Sequence, residues 1–393
     1  MPTRRYRCRR DGLATGARRR TPHHPLRPGP AAHPPRPISH RYHQADQQFL
    51  PHRAAIDPDR VVIANKTRAL PRIRVRHPSG PAAIEPNRRW SGGEDSGDTA
   101  PYPARVAPVA PRTLSLPDRA ICIAEYGDPT GDPVLYNHGV PGSHIEAIAF
   151  DEAAAAAKLR IIAIDRPGIG GSPPVPLRRV VQWADVVAAL ADRLGLDRFA
   201  VVGVSGGGPY ALACAHNLAD RVTAAVVVSS IAPLDDIPGQ RRGSLAMLRR
   251  FPFMARPVAA RMAAQIRKPG GVAATIARMA PVDRARVTAD PRLATELETN
   301  IGEAFRQGGR GFAMDLRLLF TRPWGFRLAD ITVPVRIWHG AADHNVPVSD
   351  GRRLAALLSN SRIDIVSDAG HLLFIDHTAA ILESVRIGDA DRP

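Results

Sequence analysis

A chain of 393 residues, 44% of them hydrophobic, is long enough for one large domain or two ordinary ones with substantial cores. Its net charge of +17 is unevenly placed: residues 1–112 carry 22 Lys/Arg, 8 Asp/Glu and 18 of the 38 prolines, whereas residues 113–393 carry 32 and 29. No apolar run approaches the roughly 18 residues of a membrane-spanning helix, and Cys8, Cys122 and Cys214 offer neither a disulfide framework nor metal-ligand spacing, so a cytoplasmic, reducing compartment without metal or cofactor is expected.

Residues 1–112 show no sustained period of 3.6 or 2, and their proline density works against helices and ladders alike. A disordered arm is expected, because such a segment cannot bury enough surface to offset its ordering entropy. Arginine clusters such as Arg18-Arg19-Arg20 suit phosphates, and a basic arm for nucleic acid or anionic lipid is the functional alternative. Nucleic acid is nevertheless not the expected partner. Of the 54 basic residues only Lys66, Lys158 and Lys268 are lysine, a bias that GC-rich coding explains without a binding surface, and a stretch translated from a misplaced start would have this composition. No apolar segment follows the first arginines, which argues against a secretory signal; an Arg-rich transit peptide is the other targeting alternative.

From Thr113 onward strand-like and helix-like segments alternate, the pattern of a mostly parallel sheet flanked by helices. Thr113 to Leu116 and Ala120 to Glu125 suggest an opening antiparallel pair. Pro133 to Tyr136 leads into Asn137-His138-Gly139, and Arg160 to Ile164 into Asp165-Arg166-Pro167-Gly168. Asp165 and Arg166 are expected to form a structural ion pair, and His138 to hold its loop through its ring. Val180 to Leu194 has helical spacing, with Trp183 in the core.

Arg198 to Val204 then runs straight into Ser205-Gly206-Gly207-Gly208 and a helix over Pro209 to Leu218, on which Cys214 reads as a packing thiol. Gly203-Val204-Ser205-Gly206-Gly207 fits G-x-S-x-G in the strand, turn and helix context that exposes a serine hydroxyl. Val222 to Ser229, Val333 to Trp338 and Arg362 to Val366 supply the later strands. Between residues 233 and 328 the alternation stops, and several amphipathic helices punctuated by Pro252, Pro257, Pro269-Gly270-Gly271 and Pro281 are expected. An insertion of this length should form a helical cap over the sheet's carboxyl edge, where open α/β sheets bind ligands. The expected organisation is a core of 113–232 and 329–393 with a cap of 233–328.

Serine becomes a nucleophile only when a base takes its proton, and the base needs a third group to fix its tautomer. The last strand ends in Ser367-Asp368-Ala369-Gly370-His371, which places His371 in a loop able to reach Ser205; the strand before it ends in His339-Gly340-Ala341-Ala342-Asp343. Ser205, Asp343 and His371 thus follow in the order serine, acid, histidine. Asp235 and Asp236, after the strand that follows the serine helix, compete with Asp343 for the acid role. His339 and His344 lie near the acid loop without metal spacing.

Residues 113–393 therefore resemble a capped α/β-hydrolase-fold protein, on His138-Gly139-Val140-Pro141-Gly142, Asp165-Arg166-Pro167-Gly168-Ile169-Gly170, the serine turn, and the Asp343 and His371 loops. The resemblance implies that the backbone N–H groups of Gly206 and Val140 form an oxyanion hole. It also implies hydrolysis of a small-molecule carboxylic ester or thioester through an acyl-enzyme. Carbon–carbon bond hydrolysis, cofactor-free peroxidase or perhydrolase chemistry, and a receptor that binds without turnover are the alternatives on the same residues. A serine at 205 argues against the dehalogenase and epoxide-hydrolase members, which need a carboxylate there. The cap should select the substrate, and its charge is unusual: residues 233–328 hold 17 Lys/Arg against 8 Asp/Glu, leaving 15 against 21 for the rest of the folded region. Basic residues facing the cleft would favour an anionic substrate; the competing reading puts them on solvated outer faces.

Overall fold

The computed structural model describes residues 109–233 and 244–386. The expectation of a disordered arm, Cys8, and the competing acids Asp235 and Asp236 fall outside the described residues. Eight strands form one sheet: β1 (Val109–Ser115), β2 (Ala120–Gly127), β3 (Asp132–Asn137), β4 (Leu159–Ile164), β5 (Phe199–Val204), β6 (Val222–Val228), β7 (Val335–Gly340) and β8 (Ser361–Val366). Their order is β1-β2-β4-β3-β5-β6-β7-β8. β2 runs antiparallel to both β1 and β4, and every other pairing is parallel.

Burial follows from this order. β5, central in the sheet, is buried at every position, which only a strand of Phe, Ala, Val and Gly covered on both faces tolerates. β8, at the edge, is largely half-exposed and answers with an Arg336–Asp364 pair across to β7. Two of the boundaries that differ from the sequence expectation are explained by proline. β7 starts at Val335 rather than Val333 because Pro334 has no N–H for the ladder. β1 starts four residues before Thr113, and its register shifts between Val109 and Arg112 around Pro111, which an edge strand accommodates.

The helices α1 (Asp151–Ala156), α2 (Trp183–Leu194) and α3 (Gly208–Asn217) connect β3 to β4, β4 to β5 and β5 to β6. Trp183 is fully buried on α2 and donates from Nε1 to Asn137 Oδ1 at 2.7 Å, and Cys214 is fully buried on α3. Between β6 and β7 lie α4 (Ser244–Arg250), α5 (Ala255–Ile266), α6 (Ala273–Ile276), α7 (Pro281–Ala289), α8 (Pro291–Ala304) and α9 (Arg310–Phe320). After β7 come α10 (Val348–Leu357) and α11 (Thr378–Glu383). Pro281 and Pro291 occupy the first positions of α7 and α8, where no N–H is needed. Pro257 does not interrupt the chain as expected; it sits in the first turn of α5 for the same reason. α5 buries Ala255, Ala259, Ala263 and Ile266, and α8 buries Leu293, Leu297, Ile301 and Ala304, so each presents one apolar stripe. These stripes join Tyr136, Phe150 and Val202 in one hydrophobic cluster, which makes the inserted helices part of the sheet's own core.

The expected Asp165–Arg166 ion pair does not form. Successive side chains on extended backbone point to opposite sides, so each residue finds its own partners. Asp165 accepts from the His144 N–H at 2.8 Å, from His144 Nδ1 at 2.9 Å and from the Gly171 N–H at 2.9 Å. Arg166, only 1% exposed, donates from Nη1 to the His138 carbonyl at 2.6 Å and from Nη2 to the Gly139 carbonyl at 2.9 Å. Its Nε and Nη2 meet the carboxylate of Asp315 on α9 at 3.1 and 3.0 Å. Tyr210 completes the group, donating to Asp315 at 2.6 Å while its ring lies 4.6 Å below the guanidinium.

Removing one member of a buried pair strands the other charge without water. Asp315→Ala is therefore expected to lower unfolding free energy by about 3–5 kcal/mol, measured by urea denaturation. A loss below about 1 kcal/mol would show that Arg166 needs no counter-charge.

Candidate active site

β5 delivers Ser205 into a single 3-10 turn (Ser205–Gly207) that continues as α3. Ser205 has φ of 53°, a left-handed conformation that a non-glycine residue adopts at a cost. The turn is possible because of the glycines on either side. A Cβ on Gly207 would lie 2.1 Å from the Asn137 carbonyl oxygen, and one on Gly203 would lie 2.5 Å from the Gly207 carbonyl oxygen. The sequence signature G-x-S-x-G is thus a statement about backbone approaching backbone.

Three loops bring the sequence-nominated residues together. His371 Nε2 lies 3.1 Å from Ser205 Oγ, and His371 Nδ1 lies 2.8 Å from Asp343 Oδ2. A carboxylate can only accept, so Nδ1–H donates to Asp343 and leaves the Nε2 lone pair for the serine hydroxyl. Asp343 is 4% exposed, and its other oxygen accepts from the Asn345 and Val346 N–H groups at 2.8 and 2.9 Å, which fixes its orientation.

His371 is held by backbone as well. Its carbonyl accepts from Ser229 Oγ at 3.0 Å, at the end of β6, where Ser229 also has a positive φ of 49°. Its N–H donates to Asp283 Oδ2 at 3.0 Å, and the Leu372 N–H donates to Asp283 Oδ1 at 2.9 Å. Asp283 is a buried carboxylate on α7, inside the insertion.

His138 is fully buried, and desolvation together with the Arg166 charge holds it well below the usual histidine range. It stays neutral, with Nε2 accepting from the Arg166 N–H at 3.3 Å and Nδ1 donating to the Gly139 carbonyl at 2.9 Å. His339 is likewise lowered by burial and donates from Nε2 to the Val346 carbonyl at 2.9 Å. His344 is exposed.

In the loop after β3, the Gly139 N–H is spent on Glu146 Oε1 at 2.8 Å. The next amide, that of Val140, has no acceptor among the described residues, and the amide of Gly206 lies in the first turn of the serine helix, where N–H groups have no partner within the helix. Val140 packs directly on the turn: its Cγ2 lies 2.7 Å from where a Cβ on Gly206 would stand. Glu146 also accepts from Tyr136 OH at 2.9 Å, and burial raises its carboxyl above the usual range.

The sequence reading gives no site role to Ser229, Asp283, Glu146 or Asp315. For Asp283 and Asp315 a signal existed: each is an acid on the apolar stripe of its helix, beside Val287 on α7 and beside Phe312, Leu316 and Leu319 on α9. Cys122, His144 and Asp165 also converge, with ligand atoms within 4.8 Å of one another, although their spacing in sequence conceals it. Burial and the nearby Asp165 push the Cys122 thiol up to about 11, and Asp165 already accepts from the His144 N–H, His144 Nδ1 and the Gly171 N–H.

A family model described as the alpha/beta hydrolase fold matches residues 132–378. The poly(3-hydroxyalkanoate) depolymerase of Ectopseudomonas oleovorans is 27% identical over 276 residues, 69% of this chain and 89% of that protein. An alpha/beta hydrolase fold protein from Nakamurella multipartita shares 28% identity and a TM-score of 0.52, covering 70% of this chain and 99% of that one. A thermophilic esterase from Thermogutta terrifontis, solved with malate bound, has a TM-score of 0.54 at 24% identity, covering 72% and 98%.

A carboxyl whose folded-state value is raised binds its proton more tightly in the folded chain than in the unfolded one. Glu146 therefore contributes stability that is fully present below the ordinary value of 4.5 and is lost as pH rises through its folded-state value. Glu146→Gln, which mimics the protonated form, should gain stability relative to the parent chain as pH rises from roughly 4 to 8, followed by thermal melting. A constant difference across that range would show that Glu146 ionises normally.

Proposed function

The chain belongs to the alpha/beta hydrolase fold family, and from that premise we propose that it is a serine hydrolase of small-molecule carboxylic esters or thioesters, with Ser205 as nucleophile, His371 as base and Asp343 as orienting acid. The observation that carries this reading is the unbroken relay from Ser205 Oγ through His371 to Asp343, at 3.1 and 2.8 Å. His371 takes the serine proton as Oγ attacks the acyl carbon, and Asp343 stabilises the imidazolium that forms. The amides of Val140 and Gly206 donate to the oxygen that becomes negative in the tetrahedral intermediate. His371 then gives its proton to the departing alcohol or thiol, and water activated by the same base releases the acid from the acyl-enzyme.

A relative named for poly(3-hydroxyalkanoate), an ester polymer, supports ester chemistry over carbon–carbon bond hydrolysis. The inserted helices act as a cap in this proposal, and Asp283 couples them to the base by holding the His371 loop.

Ser205→Ala should cut turnover of an activated ester by about 10⁴ to 10⁶, because residues that act as a unit fail together. An organophosphonate probe should leave a single adduct on the parent chain, read by intact mass, and none on the variant. A tenfold loss in turnover, or an adduct that survives the substitution, would place the nucleophile elsewhere.

A further inference from the structure

A cavity of about 560 Å³ lies between the loop after β4, α5 and α9, and four arginines line it: Arg256 from α5, Arg310 and Arg317 from α9, and Arg322 just beyond α9. Among the described residues no Asp or Glu lines the cavity, and no carboxylate pairs with any of the four. Elsewhere on the insertion Arg286, Arg292, Arg306 and Arg327 each meet one. Single unpaired arginines on an outer face are ordinary, since water solvates them. Four converging on one concavity repel one another, and the field they sum is strongest inside it.

The remaining wall is apolar, with Pro167, Pro174 and Pro176 from the β4 loop and Met314 and Leu318 from α9. The volume is that of a small-molecule site rather than of a lone inorganic ion. Two lining residues are chain neighbours of residues that touch the catalytic turn or its loop. Pro167 follows Arg166, which holds the His138 and Gly139 carbonyls, and Leu318 precedes Leu319, whose Cδ1 lies 3.2 Å from where a Cβ on Gly206 would stand.

We propose that this cavity binds an amphipathic anion, a short apolar chain ending in a carboxylate or phosphate, and that it selects acyl substrates carrying such a group. The selection of substrates rests on the hydrolase reading above; the binding of the anion does not. Arginine suits both headgroups because its planar fork donates two hydrogen bonds to either. The basic excess of residues 233–328 is then in part a recognition feature, concentrated by folding where α5 and α9 face the β4 loop.

Binding is tested on the Ser205→Ala chain by calorimetry with hexyl phosphate, hexanoate and 1-hexanol as probes. Hexyl phosphate or hexanoate should bind at least about tenfold more tightly than hexanol, with affinity falling as salt rises, and whichever of the two binds better identifies the headgroup. Adding Arg256→Gln with Arg317→Gln should weaken the anion at least about tenfold, whereas Arg292→Gln, on the paired outer face, should not. Arg256 is exposed, and matching thermal melts establish that the double variant folds. Turnover is read separately with the p-nitrophenyl half-ester of adipic acid and p-nitrophenyl hexanoate. The double variant should lower the ratio of their kcat/KM values at least about tenfold. Hexanol binding as tightly as both anions, or anion affinity unchanged in the double variant, overturns the site. Arginine-dependent anion binding with neither ester turned over upholds the site and overturns the hydrolase reading instead.

Discussion

A guanidinium with almost no access to water sets the terms for the rest of this molecule. Arg166 leaves β4 and spends its donors on the backbone carbonyls of His138 and Gly139 and on the carboxylate of Asp315. Desolvating such a cation costs several kcal/mol unless every donor is satisfied. The satisfying groups come from the loop after β3, from α9 of the insertion and, through the Tyr210 ring and hydroxyl, from the helix behind the serine. One charge thereby fixes the relative positions of three segments far apart in sequence. The loop that presents the Val140 amide is one of them.

Around Ser205 the same logic is repeated with backbone. The left-handed serine is tolerated because Gly203 and Gly207 let the β3 and β5 termini approach without side chains between them. His371 is fixed by a carboxylate at its ring, a second carboxylate at its amide and a hydroxyl at its carbonyl, so its imidazole has little freedom to turn away. Such rigidity is what the general-base role proposed for His371 asks of a fold.

How much of this was legible in the sequence depended on the range of the interaction. The serine turn is local: strand, glycine pair and helix lie within about twenty residues, and the physical constraint is written in the types of those residues. Ser205, Asp343 and His371 were nominated from chain order and strand ends, and the structure sets them at hydrogen-bond distance from one another. Prolines shifted two strand boundaries, and Pro257 entered a helix that it was expected to interrupt. The partners of Asp165 and Arg166 could not be read, because adjacent residues on a strand diverge and each meets groups 21 and 149 positions away. Glu146 stayed hidden for a related reason, since it acts on a backbone amide, which every residue carries and no pattern marks.

The two carboxylates that the insertion lends to the sheet, Asp283 and Asp315, change what kind of object the insertion is. A lid that merely covers a cleft could be traded for another of similar outline, by recombination or by a protein engineer building chimeras. Here the exchange would also remove the counter-ion of Arg166 and the tether of the His371 loop. Helices lacking acids at those two places would leave a stranded cation at one end of the site and a loosened histidine at the other. Divergence in this part of the chain is therefore free along the outer helix faces and tightly held at two buried positions, and any exchange of these helices has to keep both anchors.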